Sequence, residues 1–129
     1  MSTFQRFTDI EAWQKARELT CEIYRVSNRG MFSKDFGLRR QIRDASVSVR
    51  SNIAEGFDRN GTAEFVQFLA IAKGSVAEVA SQLYVAMDQK YVSAAEFDQL
   101  IALANETGRK IGALMNYLRK SGIKGVKFR

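Results

Sequence analysis

FGLRRQIRDASVSVRSNIAEGFDRNGTAEFVQFLAIAKGSVAE, residues 36–78, holds two helical patterns separated by a hard stop at Asp58-Arg59-Asn60-Gly61-Thr62. In the first pattern, counted at 100° per residue, Leu38, Ile42, Ala45, Val49, Ile53 and Gly56 form one apolar stripe. Arg39, Arg43 and Arg50 fall within about 40° of each other beside that stripe, with Asp44 and Glu55 on the other flank. Arginine stems can simply shield an apolar edge. Clustering of one sign on one flank, with the acids displaced to the other, points instead to a polyanion-facing strip.

The second pattern is apolar nearly all round. Phe65, Phe68, Leu69, Ala72, Val76, Val79, Leu83 and Ala86 make a core set, and Val66, Ala70, Ala77 and Tyr84 make a second flank. Ile71 and Val85 add apolar surface on the far side. A helix in a lone bundle should offer water a polar face, so the second flank is predicted to be a contact between subunits.

Outward from this pair, helix start signals recur. Thr8-x-x-Glu11 and Ser93-x-x-Glu96 read as capping boxes, and Ser33 and Thr62 as N-caps. Stops fall at Asn28-Arg29-Gly30, Asn60-Gly61, Gln89-Lys90 and Ser121-Gly122. The spacing predicts helices over about 9–28, 35–58, 63–89 and 94–121, joined by short connections. Short links favour antiparallel neighbours, hence an all-α, up-down-up-down four-helix bundle over residues 1–121. The first helix turns Ala12, Trp13, Ala16, Leu19, Thr20, Ile23 and Val26 inward, with Lys15 placed to pair with Glu11. The last turns in Phe97, Leu100, Ile101, Ala104, Ile111, Met115 and Leu118, and its Gly108 and Gly112 would admit a close neighbouring backbone. Residues 122–129 read as a flexible basic tail. With Arg119 and Lys120 before it, Lys124, Lys127 and Arg129 supply five cations and no acid.

Composition narrows the chemistry. Proline is absent from all 129 residues, where about six would be average, so nothing interrupts long helices. Histidine is absent, which removes His-based triads, two-His zinc sites and the Glu-x-x-His di-iron pair. The single cysteine, Cys21, sits beside the polar side of its helix and reads as a bystander. No cofactor or metal is expected, and the chain reads as a non-enzyme. The amino terminus has no signal-peptide core, and no run approaches the roughly 18 apolar residues of a membrane span. A cytoplasmic protein without a membrane partner is expected. The formal charge of +6 and a pI near 9.7 favour anionic partners.

Several motifs resemble one family. Phe7-Thr8-Asp9-Ile10-Glu11-Ala12-Trp13-Gln14-Lys15-Ala16 is similar to the opening of the four-helix-bundle proteins named for the 23S rRNA intervening sequence. Gln41-Ile42-Arg43-Asp44-Ala45-Ser46-Val47-Ser48, Asn52-Ile53-Ala54-Glu55-Gly56, Glu64-Phe65-Val66-Gln67-Phe68-Leu69 and Ala72-Lys73-Gly74-Ser75 resemble its central signature. The resemblance covers about residues 4–120. It implies an up-down bundle. The related accessory proteins of diversity-generating retroelements imply a homopentameric ring with a basic surface for nucleic acid and for a reverse transcriptase. Family members often carry proline where this chain has Arg50, so the second helix should be straighter here and one charge richer. Asn52, Glu55 and Lys73 within the signature read as polar groups that fix helix packing, with Lys73 or Arg17 as candidate partners for Glu55.

Together these readings predict a homo-oligomeric, non-enzymatic nucleic-acid-binding accessory protein, taking RNA or DNA through phosphate contacts with little sequence preference. The candidate contacts are Arg39, Arg40, Arg43, Arg50, Arg59, Arg119, Lys120, Lys124, Lys127 and Arg129. The alternative is a ring-shaped adaptor for an acidic protein partner such as a reverse transcriptase.

Overall fold

The computed structural model describes residues 4–59 and 61–121. Four helices carry the fold: α1 (Glu11–Ser27), α2 (Phe36–Asp58), α3 (Thr62–Asp88) and α4 (Ala94–Ser121). Short 3-10 turns at Phe7–Asp9 and Phe32–Lys34 precede α1 and α2. Packing runs α1–α2, α2–α3, α3–α4 and back from α4 to α1. The helices thus form a closed square with α2 and α4 at opposite corners.

The four predicted helices match to within about two residues at each end. The apolar stripes are also where the sequence puts them. Leu19, Ile23, Ile42, Ile53, Leu69, Leu83, Ile111 and Leu118 lie at the centre with essentially no exposed surface. The polar core residues Thr20 and Ser46 join α1 to α2, where the Thr20 hydroxyl donates to Ser46 O at 3.2 Å and Ala16 O at 3.0 Å.

Three of the four expected caps are different. Thr8 and Glu11 form no box, because the chain before α1 first makes a 3-10 turn and Ile10 becomes the N-cap. Asp9 Oδ2 instead accepts from the Gln5 and Arg6 amides at 3.1 Å each. Those backbone donors, Arg6 foremost, hold the Asp9 carboxyl below its ordinary value. Glu11 turns to α4 and accepts from Lys110 Nζ at 2.9 Å, while Lys15 pairs with Glu18 and Glu106 instead of Glu11. Asp35, not Ser33, caps α2 through Oδ1 and the Leu38 amide. Gly61, not Thr62, is the N-cap of α3. The Ser93–Glu96 box forms as read, with both bonds at 3.1 Å.

Of the described glycines, Gly56 is the most tightly packed: a Cβ there would stand 2.7 Å from Phe68 Cβ and 2.9 Å from Phe65 Cδ1. The expected close approach at Gly108 and Gly112 is not made within this chain. Their nearest neighbours would be Val76 Cγ1 at 3.7 Å and Lys73 Nζ at 3.5 Å, which is ordinary contact.

Candidate nucleic-acid interface

The α1–α2 face is built by antiparallel register. Thr20 meets Ser46 at mid-helix, so residues later in α1 lie beside residues earlier in α2. Arg43 therefore reaches Tyr24 and Ser27. Its guanidinium lies 4.4 Å from the Tyr24 ring centroid and its Nε donates to Ser27 Oγ at 2.8 Å. One helical repeat further on, Arg50 lies 5.1 Å from the centre of the Trp13 ring, which Arg17 also approaches at 5.8 Å. At the other end Arg39 stands 5.1 Å over the Phe36 ring and donates from Nη1 to Ser33 O at 2.8 Å. Arg40 is exposed further round α2.

Four arginines, Arg17, Arg39, Arg43 and Arg50, thus occupy one region, and none of them makes an ion pair among the described residues. Ion pairs form elsewhere: Lys15 with Glu18 and Glu106, Arg25 with Glu22, Arg29 with Glu96, and Lys110 with Glu11. A hydrogen bond and an aromatic ring fix a guanidinium in place without cancelling its charge. The arrangement therefore leaves positive potential facing outward, which is what anion capture requires.

Arg17, Tyr24 and Phe36 belong to this face and were not in the sequence-derived set. Arg17 follows Trp13 by one turn, a spacing that places it on the same side of α1. Which helix that side would meet is not a local property.

The other candidate contacts are dispersed. Arg59 is bound to Glu55 at 2.9 Å and lies 5.1 Å over the Phe68 ring, so its charge is already matched. Arg119 and Lys120 are exposed on the last turn of α4, at the corner opposite α2 and at the other end of the bundle from Arg39. Lys124, Lys127 and Arg129 lie outside the described residues.

The three signature polar groups divide. Asn52 Nδ2 donates to Ser48 O at 2.9 Å and Ser48 Oγ at 3.0 Å, and Ser48 Oγ lies 2.9 Å from Ser75 Oγ on α3. That chain fixes the α2–α3 contact. Glu55 is paired by Arg59, one turn along the same helix, rather than by Lys73 or Arg17. Lys73 borders an open groove of about 860 Å³ between α3 and α4, with Arg109, Asn105 and Asn116 on its rim and Ala77, Ala80, Gly108 and Gly112 along it.

On the second flank of α3, Ala70 and Ala77 are exposed and Val66 is half-buried. Tyr84 keeps 57% of its surface exposed while its ring meets Phe97 edge-on at 4.9 Å. Ile71 and Val85 are also open to solvent. Cys21 is exposed. No group of three or more acidic or thiol side chains is arranged to hold a metal among the described residues. No described helix is long and apolar enough to cross a membrane.

No curated protein matches this sequence. Among solved structures, a Bacteroides thetaiotaomicron protein of unknown function from the S23 ribosomal protein family shares the fold, with a TM-score of 0.74 and 20% identity over 81% of this chain and 97% of that one. The model of the 23S rRNA-intervening sequence proteins matches residues 8–113, which takes in all of α1, α2 and α3 and most of α4. The motifs that tie this chain together, from Ile10 before α1 to the Ser48–Ser75 contact and Gly56 between α2 and α3, fall inside that match, and the chain belongs to the 23S rRNA-intervening sequence protein family.

Proposed function

We propose that this protein is a homo-oligomeric, non-enzymatic accessory protein that binds nucleic acid through the α1–α2 face. One observation carries the reading: Arg17, Arg39, Arg43 and Arg50 share a region with no carboxylate paired to any of them. Phosphate contacts give such a surface affinity without base identity. Oligomerisation, in a pentamer, would repeat the face around a ring, and the apolar flank Val66, Ala70, Ala77 and Tyr84 supports a subunit contact through α3. The kinship with accessory proteins of diversity-generating retroelements belongs to this proposal.

A salt series with duplex DNA, structured RNA and single strands tests it. Neutralising Z phosphates on duplex DNA gives a log–log slope of about −0.9Z, so three contacts give roughly −2.7. A flat salt response rejects the reading. The second reading, an adaptor for an acidic protein such as a reverse transcriptase, draws on the α3–α4 groove, where Lys73 and Arg109 border a floor of small residues.

A further inference from the structure

The cations of the α1–α2 face alternate with exposed apolar groups, and this alternation has a consequence for the form of nucleic acid it takes. Phe36 keeps 67% of its surface open, Tyr24 42% and Val47 37%. All three lie on the same side as Arg39, Arg43 and Arg50. From Phe36 to Arg50 the row spans about 21 Å along α2 at 1.5 Å per residue. The backbone of a duplex offers only phosphate and sugar to such a row, leaving the rings against charged groups and water. Unstacked bases offer apolar π-faces as well as the phosphates between them.

The choice of cation points the same way. Each of the four charged groups placed there, Arg17, Arg39, Arg43 and Arg50, is arginine, although the chain also contains eight lysines. A guanidinium is planar, weakly hydrated and able to stack on a base while hydrogen-bonding phosphate, whereas an ammonium is a point charge. Here the planes are already ordered. Arg43 is held by Ser27 Oγ and the Tyr24 ring, and Arg39 by Ser33 O and the Phe36 ring. Little side-chain freedom remains to be lost on binding.

We infer that the α1–α2 face binds single-stranded nucleic acid, with bases stacking on the Tyr24–Arg43 and Phe36–Arg39 pairs and phosphates between them. This rests on the proposed nucleic-acid function and narrows its ligand. It adds no base identity, because every base has a π-face.

Fluorescence anisotropy on the full chain tests it, with an unpaired oligonucleotide and a duplex of the same length across a salt series. The expected result is tighter binding of the single strand at every salt concentration. Tyr24→Ala and Phe36→Ala should each weaken single-strand binding by roughly tenfold and leave duplex binding and the salt slope unchanged. Tyr24→Phe, which keeps the ring, should bind as the native chain does, and Ile71→Ala, an exposed apolar change on α3, should have no effect. Circular dichroism confirms that each variant is folded. Equal or tighter duplex binding, with the aromatic variants unaffected, overturns the single-strand assignment and leaves a phosphate-only interface. Absence of binding to either probe overturns the nucleic-acid reading itself.

Discussion

Arg29 and Glu96, 67 residues apart, form a two-pronged ion pair with N···O distances of 2.8 and 2.9 Å. Arg29 lies just past the end of α1, and Glu96 is the third residue of α4, where its Oε1 also accepts from the Ser93 amide. One carboxylate therefore completes a capping box and ties the α1–α2 corner to the start of α4. The Arg29 guanidinium first, then the Ser93 amide, pulls the Glu96 carboxyl down to about 2.

A carboxyl whose folded value lies below its unfolded value stabilises the fold above the unfolded value, 4.5, and loses that contribution as pH falls toward about 2. Thermal unfolding measured from pH 6 to pH 2 should show an acid-side decline that is shallower in Glu96→Gln. The same substitution should cost about 1 kcal/mol at neutral pH, since the bridge is partly solvated and the cap is weakened rather than removed. An unchanged acid limb would show that Glu96 does not govern this window.

Lys90 has a φ of +63°, the left-handed region that favours glycine. The turn around it closes α3 with Tyr91 N bonded to Ala86 O and Lys90 N to Met87 O, the Schellman pattern. It delivers Tyr91 onto Phe32 at 5.1 Å, and the Tyr91 hydroxyl donates to Asp35 Oδ2 at 2.8 Å. Lys90→Gly should raise stability by about 1 kcal/mol in denaturant unfolding, because it removes the Cβ strain and leaves those contacts in place. Tyr91→Phe should lower it by about 1 kcal/mol by cutting the bond to the residue that caps α2.

Gly56→Ala sets two effects against each other. Alanine is worth about 1 kcal/mol more than glycine inside a helix. Its Cβ, though, would meet Phe68 Cβ at 2.7 Å, an atom fixed to the α3 backbone, so the helices must part. Overpacking of that kind costs about 1–3 kcal/mol, and a net loss is expected. Gly108→Ala, with its nearest atom at 3.7 Å, should instead be neutral or stabilising in the monomer. Chemical denaturation of both variants checks the contrast.

Replacing Arg39, Arg43 and Arg50 together by glutamine keeps long helix-compatible side chains and leaves no carboxylate unpaired. Nucleic-acid binding should weaken, with the duplex salt slope shrinking by about 0.9 for each lost contact. Removing residues 122–129 is the comparison, since it deletes Lys124, Lys127 and Arg129 and spares the face. Loss of binding on that deletion, with the triple variant unaffected, would move the site to the tail.

Ala77 is exposed beside the α3–α4 groove, so Ala77→Glu should fold normally. Light scattering coupled to size exclusion should then show a fall from the oligomer to the monomer mass with helical circular dichroism intact. A native chain of monomer mass at tens of micromolar, about the range where a specific interface should hold, would remove the subunit-contact proposal.

The sequence by itself determined the helices and their inward faces, because hydrophobic period and helix stops are local and the absence of proline left each run unbroken. It also placed Arg39, Arg43 and Arg50 on one side of α2, which follows from 100° per residue alone. The caps were less legible: Thr8 and Ser33 have the right chemistry, but 3-10 turns moved the helix starts to follow Ile10 and Asp35. Only the tertiary structure decided what lies against the arginines. Trp13, Arg17 and Tyr24 reach them from α1 through antiparallel register, and no pattern within either helix encodes that register. The same holds for Glu11 with Lys110 and Arg29 with Glu96, whose partners are distant in the chain. Charge on a helix face is written in the sequence; whether a carboxylate from another helix cancels it depends on which faces meet when the bundle closes.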